Sequence, residues 1–255
     1  MRSSNPAFSS QTFTQFDHAY GATRGTVMTV QGTVGKTFGL LGILSATAIW
    51  SWQATLNDQI QPGVLGAAAI GGFVLALITI FKPTAAPWTA PVYAAFEGVF
   101  LGMLSCLIEN RLGHAARGNY AGIAMQAVSL TGATLFMMLF AYTTGLIRVT
   151  ERLRAGVVAA TGAVCLFYFV TFLLRMFGVG MPSLWSPSPF SIGISVVVVG
   201  IAAFNLLLDF DFIEQGARAQ VPKYMEWYGA FGLLVTLIWL YLEILRLLTK
   251  LQDRR

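Results

Sequence analysis

The sequence predicts an all-α integral membrane protein with seven transmembrane helices. Hydrophobic residues make up 56% of the 255 residues and charged residues only 11%, whereas soluble domains carry about 25% charged residues. Mean hydropathy is +0.67. Seven mainly apolar runs are long enough to cross a bilayer as helices. Backbone groups in lipid must be hydrogen-bonded within their own span, which favours helices over irregular structure.

The predicted spans are 37–56, 63–81, 90–108, 121–142, 155–175, 190–210 and 225–248. Breakers such as Pro62 and the basic cluster 148–154 separate them. Residues 1–34 are rich in Ser, Thr, Gln and Gly and lack the architecture of a signal peptide, so we expect a flexible polar N-terminal segment. The transmembrane domain then covers 35–250, and a short basic tail covers 251–255.

Basic residues predict a cytoplasmic N-terminus. With seven spans, the N-terminal side of the bundle carries nine Lys and Arg residues: Arg2, Arg24, Lys36, Lys82, Arg148, Arg152, Arg154, Arg218 and Lys223. Loops on the opposite side carry three: Arg111, Arg117 and Arg175. The basic C-terminal end argues the other way and leaves open a re-entrant last span. The net charge of +5 suits anionic lipid headgroups and does not suggest nucleic acid.

Enzyme chemistry finds little support in the sequence. Motifs of phosphate loops, serine hydrolases and zinc proteases do not occur. Cys106 and Cys165 lie within predicted spans and are expected to be small packing residues. His18 and His114 are far apart in sequence. We therefore expect no enzymatic activity and no bound cofactor.

Glu97 is a carboxyl group inside the third predicted span. Ionisable groups at this depth cost about 2.5–3.5 kcal/mol to insert and usually face a bundle interior or a wet cavity. Small residues recur every four positions beside it and predict a close approach of another helix: Ala90, Ala94, Gly98, Gly102 and Cys106. Glu97 is thus either a pore-lining acid or a neutral carboxyl that is hydrogen-bonded to a neighbouring helix.

The stretch LLLDFDFIEQG, residues 206–216, places acids at the end of the sixth span. Asp209 shares a helix face with Asn205, one turn earlier. Asp211 points about 200° away from Asp209, so the two cannot serve one site on a helix. We expect Asp209 to be functional, and Asp211 and Glu214 to form a solvated helix end.

The seventh span carries a carboxylate at each end of one helix face, with mostly small or polar residues between them: Glu226, Gly229, Gly232, Thr236, Trp239 and Glu243. Such a face does not suit lipid, so this helix is expected to be central. Glu243 and Arg246 are three residues apart and are placed either to pair on the helix surface or to act in gating.

The same residues carry a family resemblance. The chain resembles the Bax inhibitor-1 (transmembrane Bax inhibitor motif) family, in its bacterial YccA-like branch, through MRSSNPAF, FEGVFLG and the stretch from NLLLDFDFIEQG through PKYMEWYGAFGLLVTLIWLYLEILRLL. The resemblance implies a central last helix enclosed by six others, in a bacterial inner membrane. It also implies, as for some members, a calcium leak in which two aspartates share a proton. The first family aspartate falls on Asp209 and the second on Glu243, with Arg246 where the family usually has Asn.

The partner of Asp209 stays open at this point. Depth within the membrane favours Glu226 or Glu97, which start from the same side of the bundle. A pair with Glu243 requires the last helix to enter the membrane later, near Phe231, because each residue advances a helix by only about 1.5 Å.

Two function classes follow. In the first, the protein is a pH-sensitive cation leak, with calcium as the expected permeant or bound ion because calcium prefers oxygen ligands. Asp209 is then gate and ligand, Glu243 its partner, Glu97 a pore-lining acid and Arg246 a counter-charge. In the second, the protein modulates another membrane protein, such as a membrane protease, and the segment 1–34 recognises that partner.

Overall fold

The computed structural model describes residues 27–115, 122–178 and 188–253. Residues 1–26 of the expected N-terminal segment and residues 254–255 of the expected tail lie outside this part. The described residues form seven α-helices, each long and apolar enough to cross a membrane, and a short 3-10 helix at Pro83–Ala85. The α-helices are α1 (Val30–Leu56), α2 (Gly63–Phe81), α3 (Ala86–Ala115), α4 (Ile123–Thr143), α5 (Glu151–Met176), α6 (Pro189–Arg218) and α7 (Met225–Gln252). The predicted fold class is confirmed.

Several helices extend beyond the apolar runs that predict them. α1 begins at Val30 because the Thr29 side chain caps it, accepting a hydrogen bond from the Gly32 amide at 3.0 Å. Residues 30–34, which hydropathy assigns to the N-terminal segment, are therefore helical. α6 continues to Arg218, eight residues past its predicted end. Hydropathy detects only the section within the hydrocarbon layer, whereas backbone hydrogen bonds continue a helix into polar surroundings.

The last helix, α7, is the most buried of the described helices. It packs against α1, α3, α4 and α6, while α2 packs against α3 and α5 reaches α7 through Tyr168. Its inward face includes Glu226, Gly229, Thr236 and Glu243, all buried, as the helical spacing predicts. Its 28 residues run continuously and span about 42 Å at 1.5 Å per residue, so it is long enough for one full crossing.

The small-residue stripe of α3 forms its contact with α1. All five stripe residues are buried. A Cβ atom added at Gly98 or Gly102 would overlap the backbone carbonyls of Leu44 and Ala48 in α1. Glycine is required here because the two helix backbones approach closely.

The chain just before α1 packs against the turn between α6 and α7. The Met28 amide donates to the Val221 carbonyl at 2.8 Å, and the Met28 side chain is buried. A Cβ atom at Gly216 would lie 2.9 Å from the Met28 sulfur. This contact holds together the α6 and α7 ends on the N-terminal side of the bundle.

Candidate carboxylate site

A cavity of about 560 Å³ lies between α2, α5, α6 and α7, near their ends on the N-terminal side. We call it the Asp209 cavity. Its lining is mainly apolar and includes two charged side chains, those of Asp209 and Arg154. The lining residues are Ile80, Arg154, Val158, Leu208, Asp209, Phe212, Gln215, Tyr228, Gly229, Phe231, Gly232 and Val235.

Asp209 presents a carboxylate oxygen that lacks a hydrogen bond. Its Oδ2 atom is buried and has no hydrogen-bond partner among the described residues. The Thr236 hydroxyl interacts with this carboxyl group and itself donates weakly to the Gly232 carbonyl, at 3.3 Å. Buried polar atoms are nearly always paired, because leaving one unsatisfied costs about 1–3 kcal/mol. The oxygen is therefore placed to take a proton, a water or a cation.

Asp211 lies on a different side of α6, as the helical angle predicts. It forms an ion pair with Arg154 of α5 at 2.5 Å and accepts a hydrogen bond from Gln215 at 2.6 Å. Glu214 accepts hydrogen bonds from Tyr142 of α4 and from Arg218. The expected solvated helix end is thus tied to two neighbouring helices. The sequence does not reveal these partners because α4 and α5 reach α6 only in the folded bundle.

Glu243 is fully buried beside α5. Its carboxylate accepts hydrogen bonds from Tyr168 at 2.9 Å and from Arg246 at 3.2 Å, the pairing that the spacing of three residues allows. Thr236, which contacts Asp209, lies two helical turns before Glu243, or about 10 Å along α7. α7 is already helical at Met225, so this structure does not bring Glu243 to Asp209.

Glu226 lies at the start of α7 and connects this helix to α1. It forms an ion pair with Lys36 and accepts hydrogen bonds from the Thr29 amide and hydroxyl, both at 2.9 Å. The Lys36 ammonium also lies 5.5 Å from the centre of the Trp227 ring. These partners engage both carboxylate oxygens and give Glu226 a structural connection rather than a place beside Asp209.

Glu97 is half-buried and points towards α2. A Cβ atom at Gly72 would lie 2.6 Å from its Oε1 atom, and the Tyr93 side chain interacts with its carboxyl group. Glu97 is not among the described residues that line the Asp209 cavity. Asn205 donates to Thr161 of α5 at 2.8 Å and to the Ile201 carbonyl, so it joins α6 to α5.

The sequence alone does not assign two residues of this site, Arg154 and Thr236, to it. In the sequence, Arg154 indicates only the orientation of the chain in the membrane. Its partner Asp211 is 57 residues away, and no local pattern indicates the pairing. Thr236 was visible only as a polar member of the inward α7 face. Its role beside Asp209 depends on the register of α7 against α6.

The described residues contain no group of three or more His, Cys, Asp or Glu side chains that is placed to hold a metal ion. Calcium takes six to eight oxygen ligands. Asp209 is the one acidic residue among the described residues that line the cavity, far fewer ligands than a permanent calcium site requires.

Comparisons with known proteins agree with this architecture. Searches of curated proteins and of solved structures found no match. The family model described as Bax inhibitor 1 like matches residues 5–253, nearly the whole chain. Because this match accompanies seven helices suited to crossing a membrane among the described residues, the chain is a multi-pass membrane protein that belongs to the Bax inhibitor 1 like family.

Proposed function

We propose that the protein is a pH-sensitive cation leak in which Asp209 controls the opening on the N-terminal side of the bundle. The observation that supports this proposal is the buried, unsatisfied Asp209 oxygen in a cavity of about 560 Å³. Carboxyl groups inside membrane spans commonly mark ion pathways. Calcium is the proposed ion because carboxylate and carbonyl oxygens are its preferred ligands.

Protonation of Asp209 provides the pH dependence. When ionised, its carboxylate attracts a cation strongly, because the surroundings are apolar and charges interact over a low dielectric. When protonated, it carries no charge and no longer attracts a cation. Conduction therefore falls as the pH falls through the range in which Asp209 takes up a proton.

Arg154 is the competing cation in this mechanism. It lines the same cavity as Asp209, and it is engaged in an ion pair with Asp211. While this pair is intact, the Asp209 carboxylate is available to a mobile cation rather than to a fixed guanidinium group.

The geometry supports Thr236, rather than a second carboxyl group, as the hydrogen-bond partner of Asp209. Glu243 and Glu226 are each hydrogen-bonded to basic residues, and Glu97 interacts with Tyr93. The carboxyl pair implied by the family resemblance requires α7 to rearrange before Glu243 reaches Asp209.

Calcium flux into liposomes that contain the purified full-length protein, measured across a pH series, tests the proposal. Asp209→Asn should flatten the pH profile. Thr236→Val should move the loss of flux to higher pH, because the ionised carboxylate loses its hydrogen bond from the Thr236 hydroxyl. Glu214→Gln is the matched control on the same helix and should retain the wild-type profile.

Two results would contradict the mechanism. A Glu243→Gln profile that matches that of Asp209→Asn would favour a carboxyl pair over Thr236. The absence of flux in the wild-type protein would remove the leak altogether and favour the alternative of a membrane interaction protein that modulates another membrane protein.

We also propose a location and an orientation. The preference of basic residues for the N-terminal side supports a cytoplasmic N-terminus. The resemblance to the YccA-like branch supports the bacterial inner membrane.

A further inference from the structure

A second pocket lies at the opposite end of the bundle, between α5, α6 and α7. We call it the Lys250 pocket. Its polar lining consists of Tyr168 and Thr171 from α5, Ser195 from α6, and Arg246 and Lys250 from α7. Its enclosed volume is about 20 Å³, enough for one water-sized group. A larger ligand would insert a single oxygen atom and leave its remainder outside.

Lys250 is a buried cation whose described hydrogen bonds go to uncharged groups. Its side chain donates to the Ser195 hydroxyl at 2.8 Å and to the Ser191 carbonyl at 3.3 Å, and only 7% of the residue is exposed. Lysine is almost never buried to this extent without a charged partner. An ammonium group carries three donors, so these two bonds leave capacity for one more acceptor.

The charges around the pocket do not balance. Arg246 is within hydrogen-bond distance of Glu243 and Tyr168, so Glu243 compensates its charge. Lys250 adds a second positive charge one turn further along the same face of α7. The described side chains that α5 and α6 contribute to the pocket are uncharged. Within the part of the chain that the structure describes, the side chains that line the site, together with Glu243, thus carry one excess positive charge.

The depth of Lys250 identifies the environment that the pocket meets. Lys250 is 24 residues after Glu226, a separation of about 36 Å along α7 at 1.5 Å per residue. The hydrocarbon layer is about 30 Å thick. With Glu226 at the N-terminal boundary of the hydrocarbon layer, a helix along the membrane normal carries Lys250 to the level of the lipid phosphates on the C-terminal side.

We propose that the Lys250 pocket binds a phosphate group and that this phosphate belongs to an anionic phospholipid of the leaflet on the C-terminal side. One phosphate oxygen enters the pocket and accepts a hydrogen bond from Lys250. The net negative charge of the headgroup balances the excess positive charge, which a zwitterionic headgroup does not. Basic pockets between transmembrane helices are a recurrent form of headgroup site.

The test is a lipid titration of the purified full-length protein in detergent, with bound lipid counted by native mass spectrometry. Phosphatidylglycerol should bind more tightly than phosphatidylcholine. Lys250→Met, which keeps the apolar stem, should weaken phosphatidylglycerol binding by about fivefold. Lys223→Met removes an exposed lysine on the other side of the bundle and should leave the binding unchanged.

Inorganic phosphate distinguishes the two sources of the anion. Millimolar phosphate should displace little phosphatidylglycerol if the site is a headgroup site. Full displacement by phosphate, with no preference among lipids, would overturn the assignment to a lipid.

Equal affinity of the wild-type protein for the two lipids would overturn the proposal, and this comparison holds even if Lys250→Met does not fold. Unchanged binding in a folded Lys250→Met protein would overturn it as well.

Discussion

The ion pair between Lys36 and Glu226 is expected to be a major stabilising contact between α1 and α7. The Glu226 side chain is 2% exposed and that of Lys36 is 17% exposed. Removing one member of a buried pair costs about 3–5 kcal/mol, because the other charge stays buried without compensation. Two hydrogen bonds from Thr29 still reach Glu226, and Lys36 is partly exposed. We therefore expect Lys36→Met to lower the free energy of unfolding by about 2–4 kcal/mol.

Reversible unfolding in mixed detergent micelles, followed by tryptophan fluorescence, measures this loss. A double-mutant cycle with Glu226→Gln isolates the coupling between the two side chains, since the double variant removes both charges. Arg218→Met is the control. Its ion pair with Glu214 is exposed, with side chains 76% and 38% accessible, so its loss should cost less than about 1 kcal/mol.

If Lys36→Met costs no more than Arg218→Met, burial does not determine the strength of these ion pairs, and the expected stabilisation is refuted. A Glu226→Gln variant that keeps wild-type stability and shifts the pH profile of calcium flux would also contradict the structural role of this ion pair. That result would make Glu226 a gating group rather than a structural one.

Three further predictions concern packing, capping and topology. Gly98→Val should destabilise the protein by about 1–3 kcal/mol or more, because the added side chain overlaps the α1 backbone. In the same thermal unfolding assay, Gly42→Ala should be neutral, because the added methyl group meets open space. Equal losses in the two variants would contradict the close helix contact. Glu109→Ala should lower the free energy of unfolding by about 1 kcal/mol and accelerate amide exchange at residues 122–124. The reason is that the Glu109 carboxylate accepts hydrogen bonds from two amides at the start of α4. Unchanged exchange would exclude this capping role. In a chain without its two native cysteines, Asp58→Cys should react with an impermeant thiol reagent applied outside the cell and Arg148→Cys should react only after permeabilisation; the reverse pattern would invert the topology.

The sequence by itself determined the class of protein and the number of membrane-spanning helices among the described residues. A bilayer imposes a fixed thickness and requires every span to satisfy its own backbone hydrogen bonds, so composition and the length of apolar runs suffice. Features that repeat along one helix were also predictable. The small residues of α3 and the inward face of α7 follow from helical periodicity alone. The same periodicity separates Asp209 from Asp211.

Tertiary structure alone decided which charged groups meet. Lys36 and Glu226 are 190 residues apart in sequence, and Arg154 and Asp211 are 57 residues apart. Hydropathy places helix ends only to within a few residues, and each residue changes depth by about 1.5 Å and direction by about 100°. That uncertainty is enough to move a carboxyl group from one partner to another. The sequence therefore indicated which acids lie in the membrane. The packing of α7 against its neighbours paired Glu226 and Glu243 with basic residues. The same packing left an Asp209 oxygen without a hydrogen bond among the described residues.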